Sequence, residues 1–481
     1  MILKDILKGI DYEVLQGSDT IEIDNIQYDS RKAAKGTLFV CITGFKTDGH
    51  NFIDSAAEKG SVAFSVEKDV ELKEGYTYVK VKNNREALAH MAANYYGKPS
   101  EKVNLVGVTG TNGKTSTTYI IKSVLDRIGH KVGIVGTIEN RIGDKVIHAD
   151  RTTPESLELQ ELFKEMIEEN VTDICMEVSS HSLDLHRVDC CDFDIAIFTN
   201  LTQDHLDYHK TMENYKKAKA MLFERCNKCV INIDDEAGEY MVSVSKGDII
   251  TTAIEKDADL KAENIDITAH GVTFTLDYEG KQYPVELNIP GKFSIYNALG
   301  SIGACLFMGI DMETIIVGLK DIQGVRGRFQ SIKGKNGVSA VVDYAHTPDG
   351  LENILNTAKE FVKGRIITVF GCGGDRDKTK RPIMGEIAGR LSDFCIITSD
   401  NPRTEDPETI INEIEVGTKK TGCEYIKVTD RKEAIYDAVK MAKENDLIVI
   451  AGKGHEDYQI FADRTIHFDD KEVVEAAFLE A

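Results

Sequence analysis

The chain has 481 residues, room for about three domains at the usual 100–200 residues each, so a single small binding module is excluded. Hydrophobic residues make up 42% and charged residues 29%, the composition of a folded globular protein, which removes fibrous and low-complexity classes. Lys plus Arg number 58 against 80 Asp plus Glu, a net charge of -22; that sign is wrong for gripping a nucleic-acid backbone and leaves only a local basic pocket for a small anion.

The opening stretch MILKDILKGIDYEVLQG carries charges among its first residues and no uninterrupted apolar core, so it reads as neither secretory signal nor anchor. No apolar run approaches the roughly 18 residues of a membrane helix. A cytoplasmic protein without membrane insertion is expected, its ten cysteines reduced and mostly small core residues.

Short apolar runs alternate with longer amphipathic stretches, the pattern of parallel strands and crossover helices, so the fold class is α/β. A helix over Asn84 to Tyr96 ends at Gly97-Lys98-Pro99-Ser100, the first candidate boundary. The apolar run Val103 to Val108 then leads into TGTNGKTS (Thr109 to Ser116) and a helical pattern from Tyr119 to Ile128. Ile174-Cys175-Met176 leads into EVSSHSLDLHR, and Ile195 to Phe198 into TNLTQDHLDYH. From about Ile249 to Pro290, alternation such as Val272 to Leu276 and a turn at Glu279-Gly280 predict antiparallel hairpins appended to the middle domain. A helix over Ser294 to Met308 precedes the second boundary, near Gly324 to Arg328. In the last part, Val341-Val342 leads to DYAHTPDG, Ile366 to Phe370 to GCGGDRDKTKRP, Ile396 to Thr398 to SDNPRTEDP, and Leu447 to Ile450 to AGKGHEDYQ. Open α/β sheets bind ligands beyond the carboxyl ends of their strands, so two facing half-sites are expected.

Gly110, Thr111, Asn112, Gly113, Lys114, Thr115 and Ser116 have the composition of a phosphate loop: glycines admit phosphate to backbone N–H groups, and the next helix offers its positive end. Lys114 suits the β- and γ-phosphates and Thr115 a Mg²⁺ ion. The strict pattern with an earlier glycine is not met, since Val108 stands there; an ordinary strand-to-helix turn is the alternative. Glu177 ends one strand and His205 follows another, and both could share a Mg²⁺ held by nucleotide phosphates; solvated side chains are the bland alternative. His205-x3-His209 with Cys226-x2-Cys229 would supply a zinc set, in an atypical order.

Together TGTNGKTS, MEVSSHSLDLHRV, TNLTQDHLDYH, YKKAKAMLF, GKFSIYNAL, GRFQ, DYAHTPDG, GCGGDRDKTKRP, SDNPR and GKGHE resemble the Mur ligase family over nearly the whole chain, in order. The family's own form of the loop is TGTNGKT, which accounts for the missing glycine. Asp29-Ser30-Arg31, Thr152-Thr153-Pro154 and Asp400 to Arg403 are most similar to the members adding the third residue of the peptidoglycan stem peptide.

The resemblance implies a uridine-nucleotide domain (1–99), a central P-loop-type ATPase domain (100–325) and a C-terminal Rossmann-like amino-acid domain (326–481). It implies ATP, Mg²⁺ and a CO₂-derived carbamate on Lys219, with UDP-MurNAc-L-Ala-D-Glu and meso-diaminopimelate as substrates of a monomeric enzyme. Residues 110–116 would bind ATP, with Asn297 near the adenine. Thr115, Glu177, His205 and Lys219 would support Mg²⁺, and Lys114, Lys219, His205 and Glu177 would carry the chemistry. Ser30, Thr152, Thr153, Ser179 and Arg187 match contacts to the muramoyl dipeptide nucleotide; Leu185 stands where some members have a polar residue. Arg376, Asp400, Asn401, Pro402, Arg403, Gly452 and Glu456 match the diaminopimelate pocket. The rivals are an L-lysine-adding ligase and a nucleotide-switch protein. Against the switch, the nearest match to a base-selecting N-K-x-D is Asn227-Lys228-Cys229-Val230.

Overall fold

Runs rich in Val, Ile and Leu become strands buried on both faces, which is what parallel sheets covered by helices require. The computed structural model describes every residue except Lys46, Gln323 and Asn336. These fall into two compact units, Met1–Ala258 with Gly300–Asp311, and Asp259–Leu299 with Met312–Ala481.

The first unit holds two sheets. The smaller has the spatial order Tyr12–Gln16, Thr77–Val81, Ser61–Val66, Thr37–Val40, Asn25–Gln27, parallel throughout except for its first pair. The helix Asn84–Tyr96 covers it. Asn83 caps this helix by accepting from the N–H groups of Arg85 and Glu86, and Gly97 closes it in the left-handed region at φ 73. The same helix packs against the helix Ser156–Glu168, whose Leu157 is buried in one core with Leu3, Ile6, Leu38, Val79, Leu88 and Met91.

In the larger sheet of this unit, six strands run parallel in the order Asp248–Ala253, Lys228–Asn232, Ile195–Phe198, Asn104–Thr109, Asp173–Glu177, Val132–Val135. Short antiparallel strands Asn140–Ile142 and Lys145–Ile147 extend it. The chain starts at Asn104–Thr109, builds two strands to one side, then crosses to build Ile195–Phe198 on the other. This reversal of winding opens a crevice at the carboxyl ends of those central strands. Two expectations shift. Asp248–Ala253 is a parallel strand of this sheet, so antiparallel hairpins begin only at Leu260. The helix after the loop starts at Lys114, because Gly113 at φ 88 turns the chain directly into it.

The second unit contains the antiparallel meander Leu260–Thr268, Gly271–Tyr278, Lys281–Leu287. Its six-stranded sheet has the order Gln330–Lys333, Ser339–Asp343, Leu447–Ala451, Ile366–Phe370, Phe394–Ile397, Glu424–Lys427, parallel beyond the first pair. The late strand Leu447–Ala451 inserts between two earlier ones, so the loops after all four central strands share one edge. All ten cysteines are free thiols and most are buried. Among the described residues no helix is long and apolar enough to cross a membrane.

Candidate active site

The loop after Asn104–Thr109 is held from the neighbouring strand end. Thr111 N–H donates to Asn200 O at 2.9 Å, Asn112 N–H to Asn200 Oδ1 at 3.0 Å, and Thr199 Oγ1 to Asn112 O at 2.6 Å. A Cβ on Gly110 would stand 1.8 Å from Thr199 Oγ1, so only glycine lets the two strand ends approach this closely. Lys114 folds back over the loop, its Nζ donating to Gly110 O at 2.9 Å and Thr111 O at 2.8 Å. Thr115 and Ser116 are buried in the first turn of the helix.

Glu177 ends the adjacent strand, paired with Val108, and is 1% exposed. Thr115 Oγ1 donates to its Oε1 at 2.8 Å, Thr137 N–H to Oε1 at 2.9 Å, and Thr137 Oγ1 to Oε2 at 2.9 Å. Thr137 in turn touches Thr152, hydroxyl to hydroxyl at 3.0 Å. Thr153 Oγ1 donates to Glu177 O at 2.8 Å and accepts from Ser179 N–H at 3.2 Å. Ser179 caps the short helix Ser180–Asp184, which ends at half-buried Leu185. Arg187 Nη1 reaches Thr153 O at 3.1 Å and its Nη2 pairs with Glu155 Oε1 at 2.9 Å. Arg151 and Arg85 pair with the same carboxylate at 3.2 and 3.6 Å. Three guanidiniums on one glutamate leave a surplus of positive charge suited to an anion. The structure thus gathers Thr152, Thr153, Glu177, Ser179 and Arg187 around one strand end. Ser30, 8% exposed, opens a short turn capped by Asp29, beside Tyr28, whose hydroxyl donates to Glu158 Oε1 at 2.7 Å.

Lys219 lies in the helix Met212–Ala220 and is 2% exposed. Its Nζ donates to Gly110 O at 2.7 Å, the carbonyl that Lys114 also uses. Burial, then the Lys114 charge, push its pKa well below the usual 10.5. Tyr215, one turn earlier, covers Nζ with its ring at 4.6 Å and meets Thr111 Oγ1 at 3.2 Å. His205 sits in the left-handed region at φ 52. Its ring lies 4.8 Å from that of His181 and 6.1 Å from that of Tyr215. Burial, with Lys114 and Lys219 nearby, lowers its pKa, and burial beside His205 and His209 pushes that of His181 down to about 4.

The residue set fits a divalent cation completed by a ligand: a hydroxyl and a hard carboxylate lie side by side at the helix head. Among the described residues no group of three or more His, Cys, Asp and Glu side chains could hold a metal by itself, so phosphate and water oxygens would fill the rest. The zinc set does not converge. His209 Nε2 bonds Ser180 Oγ at 2.8 Å, while Cys226 Sγ reaches backbone carbonyls at Phe193 and Lys228.

In the second unit the loops after four parallel strands meet. Asp400, 8% exposed, accepts Asn401 N–H on Oδ1 at 2.6 Å. Gly452, at φ 120, leaves no room for a Cβ beside Asp400 Oδ2, 2.7 Å away. Arg403, at φ 53, follows buried Pro402 and donates from Nη1 to Gly374 O at 2.9 Å and Asn401 O at 3.4 Å. Glu405 is taken by Arg381 and Lys378, so Arg403 makes no salt bridge among the described residues. Arg376 is exposed, with Nη1 on Asp375 O at 3.3 Å. Asn297 is 2% exposed in the helix Lys292–Phe307. Sequence reasoning did not single out Thr137, Glu155, Tyr215, His181, Thr199 or Lys453; His181, Thr199, Tyr215 and Lys453 stand inside motifs whose neighbours it singled out, while Thr137 and Glu155 lie outside them.

Three family models match in order: "Mur ligase family, catalytic domain" over residues 22–96, "Mur ligase middle domain" over 108–305, and "Mur ligase, glutamate ligase domain" over 327–454. A UDP-N-acetylmuramoyl-L-alanyl-D-glutamate--2,6-diaminopimelate ligase of Clostridium botulinum is 54% identical over 485 residues, covering 100% of both chains. The enzyme of the same name from Caldanaerobacter subterraneus is 49% identical over 482 residues, again covering 100% of each. A solved structure bearing that name has a TM-score of 0.74 at 31% identity and covers 100% of this chain and 99% of its own. With its loop, strand-end glutamate and buried lysine in place and such relatives along its whole length, the chain belongs to the Mur ligase family.

Proposed function

We propose that the chain is an ATP-dependent amide ligase of the cytoplasm. It joins meso-diaminopimelate to the D-Glu γ-carboxylate of UDP-MurNAc-L-Ala-D-Glu, in peptidoglycan precursor synthesis. The observation that carries this reading is the pair of lysines on one carbonyl: Lys114 and Lys219 both donate to Gly110 O, one from the helix head and one from full burial. A nucleotide switch needs the first and has no use for the second.

A carboxylate is a poor electrophile, so the D-Glu side chain must first take the γ-phosphoryl group of ATP as an acyl phosphate. The amine then attacks, and the tetrahedral intermediate collapses to amide and phosphate. Residues 110–116 hold the phosphates, and Lys114 offsets charge that builds as the phosphoryl group moves. Thr115, Glu177, His205 and the carbamate on Lys219 would hold Mg²⁺, which supplies further positive charge at the phosphates. Burial lowers the pKa of this amine, and a lysine amine that takes up CO₂ with loss of a proton becomes an anion with two oxygens. Ser30, Thr152, Thr153, Ser179, Leu185 and Arg187 hold the muramoyl dipeptide nucleotide, Asn297 lies by the adenine, and Arg376, Asp400, Asn401, Pro402, Arg403, Gly452 and Glu456 hold the amino acid. Residues 1–99, 100–325 and 326–481 divide these tasks.

Purified protein given ATP, UDP-MurNAc-L-Ala-D-Glu and a panel of diamino acids should release ADP only when both organic substrates are present. Meso-diaminopimelate carries a second carboxylate that L-lysine lacks, and Arg is the side chain that grips a carboxylate in two parallel bonds. Selectivity of roughly 10⁴ over L-lysine is expected, since lysine would leave the guanidinium without its partner. Arg403→Ala should raise KM for diaminopimelate sharply and leave KM for ATP nearly unchanged. Equal use of lysine would defeat the substrate assignment but not the ligase; ADP release without either organic substrate would defeat both. Gly110→Ala, which forces the loop from Thr199, should lower kcat/KM for ATP by about 100-fold, the scale of an ångström misplacement, with circular dichroism unchanged.

A further inference from the structure

We infer that Lys453 is a positioning residue for amino-acid selection, locking Asn401 and Glu456 so that one carboxylate oxygen is left for the incoming ammonium group. The inference rests on the reading of these loops as the amino-acid pocket. Lys453 lies two residues beyond the strand Leu447–Ala451, and its side chain is 0% exposed. A lysine so placed is costly to bury unless its charge is met. Its Nζ donates to Glu456 Oε2 at 3.0 Å and to Asn401 Oδ1 at 3.2 Å. Asn401 Nδ2 closes the triangle by donating to the same Oε2 at 2.8 Å.

This network decides which way both partners face. Asn401 Oδ1 also accepts from Ile460 N–H at 3.0 Å, so its oxygen is fixed by two donors and its amide nitrogen by a carboxylate. Both bonds to Glu456 fall on Oε2, and among the described residues Oε1 accepts none. The Glu456 side chain is 15% exposed, which leaves that oxygen within reach of a ligand. An oxygen of a carboxylate anchored through its other oxygen suits an ammonium donor. The Tyr458 ring, 5.4 Å from Lys453 Nζ, lies over the amine. Without the lysine, Glu456 would lose an anchor and Asn401 one of the donors that hold its amide.

The test is a double-mutant cycle. Lys453→Met and Lys453→Gln are made in the native chain and in a Glu456→Gln background, with KM measured for meso-diaminopimelate, ATP and UDP-MurNAc-L-Ala-D-Glu, and Tm recorded for each. Lys453→Met alone should raise KM for diaminopimelate about tenfold or more, with the other KM values changed less than about twofold, and should add little once Glu456 is Gln, because coupled residues are not additive. Glu456→Gln without effect on that KM would defeat the pocket reading itself. A Glu456→Gln effect with none from Lys453, or full additivity of the two, would overturn the inference. So would a fall in kcat and Tm with no selective rise in KM, or loss of fold in both Lys453 variants, either of which makes the lysine purely structural.

Discussion

Lys114→Ala is expected to lower kcat by about 10³-fold or more, the scale seen when a main electrostatic contact to a transferring phosphoryl group is lost. The side chain stands at the head of its helix, folded over the Gly110 and Thr111 carbonyls, where phosphate oxygens would replace those carbonyls as its partners. Because the interaction grows as charge moves toward the bridging oxygen, kcat should fall far more than KM for ATP rises. Initial rates of ADP release, with circular dichroism to establish the fold, measure this. A folded variant with near-normal turnover would remove the phosphate-loop assignment.

The second large effect concerns Lys219. Gently handled protein should be about 44 Da heavier than its sequence mass, the weight of one CO₂ on a lysine, and the increment should vanish on bicarbonate removal together with most of the activity. Lys219→Ala should lose about 10² to 10³ in kcat, as when one charged contact at the reacting phosphates is removed, and recover part of it with a short carboxylic acid that can reoccupy the space. Full activity of Lys219→Ala with no added acid would sink the carbamate. A pH signature accompanies it. The buried free amine has a pKa below its unfolded value of 10.5, so between the two the unfolded chain binds one proton more. CO₂-stripped protein must therefore gain stability as pH rises through that window.

The parallel strands were legible because burial on both faces writes them as unbroken apolar runs, and the polar segments after them mark the sheet edges where the candidate site residues lie. The helix start at Lys114 was not, since its signal is a single left-handed Gly113 rather than a periodic pattern. Asp248–Ala253, with the sequence DIITTA, has neither the unbroken apolar run of the other parallel strands nor the alternation of the hairpins, and only its pairing with Lys228–Asn232 makes it parallel. Glu155 stands at a helix start, where an acidic residue ordinarily serves the helix dipole. Its side chain makes no cap bond and spends its charge on Arg85, Arg151 and Arg187, far apart in sequence. Thr137 and Thr199 use hydroxyls whose partners, Glu177 and Asn112, are distant in sequence, so the contacts cannot be read from the residues beside them.

The helix Ser156–Glu168 belongs in sequence to the segment after the Gly97 to Ser100 boundary, yet its Leu157 completes the core beneath the helix Asn84–Tyr96. Glu155 and Glu158 add charged and hydroxyl links to Arg85 and Tyr28 from the same stretch. A gene fragment ending near residue 100 would therefore express a polypeptide with an open apolar gap and a stranded arginine. The first 99 residues are therefore expected to melt together with the helix Ser156–Glu168, whose Leu157 completes their core.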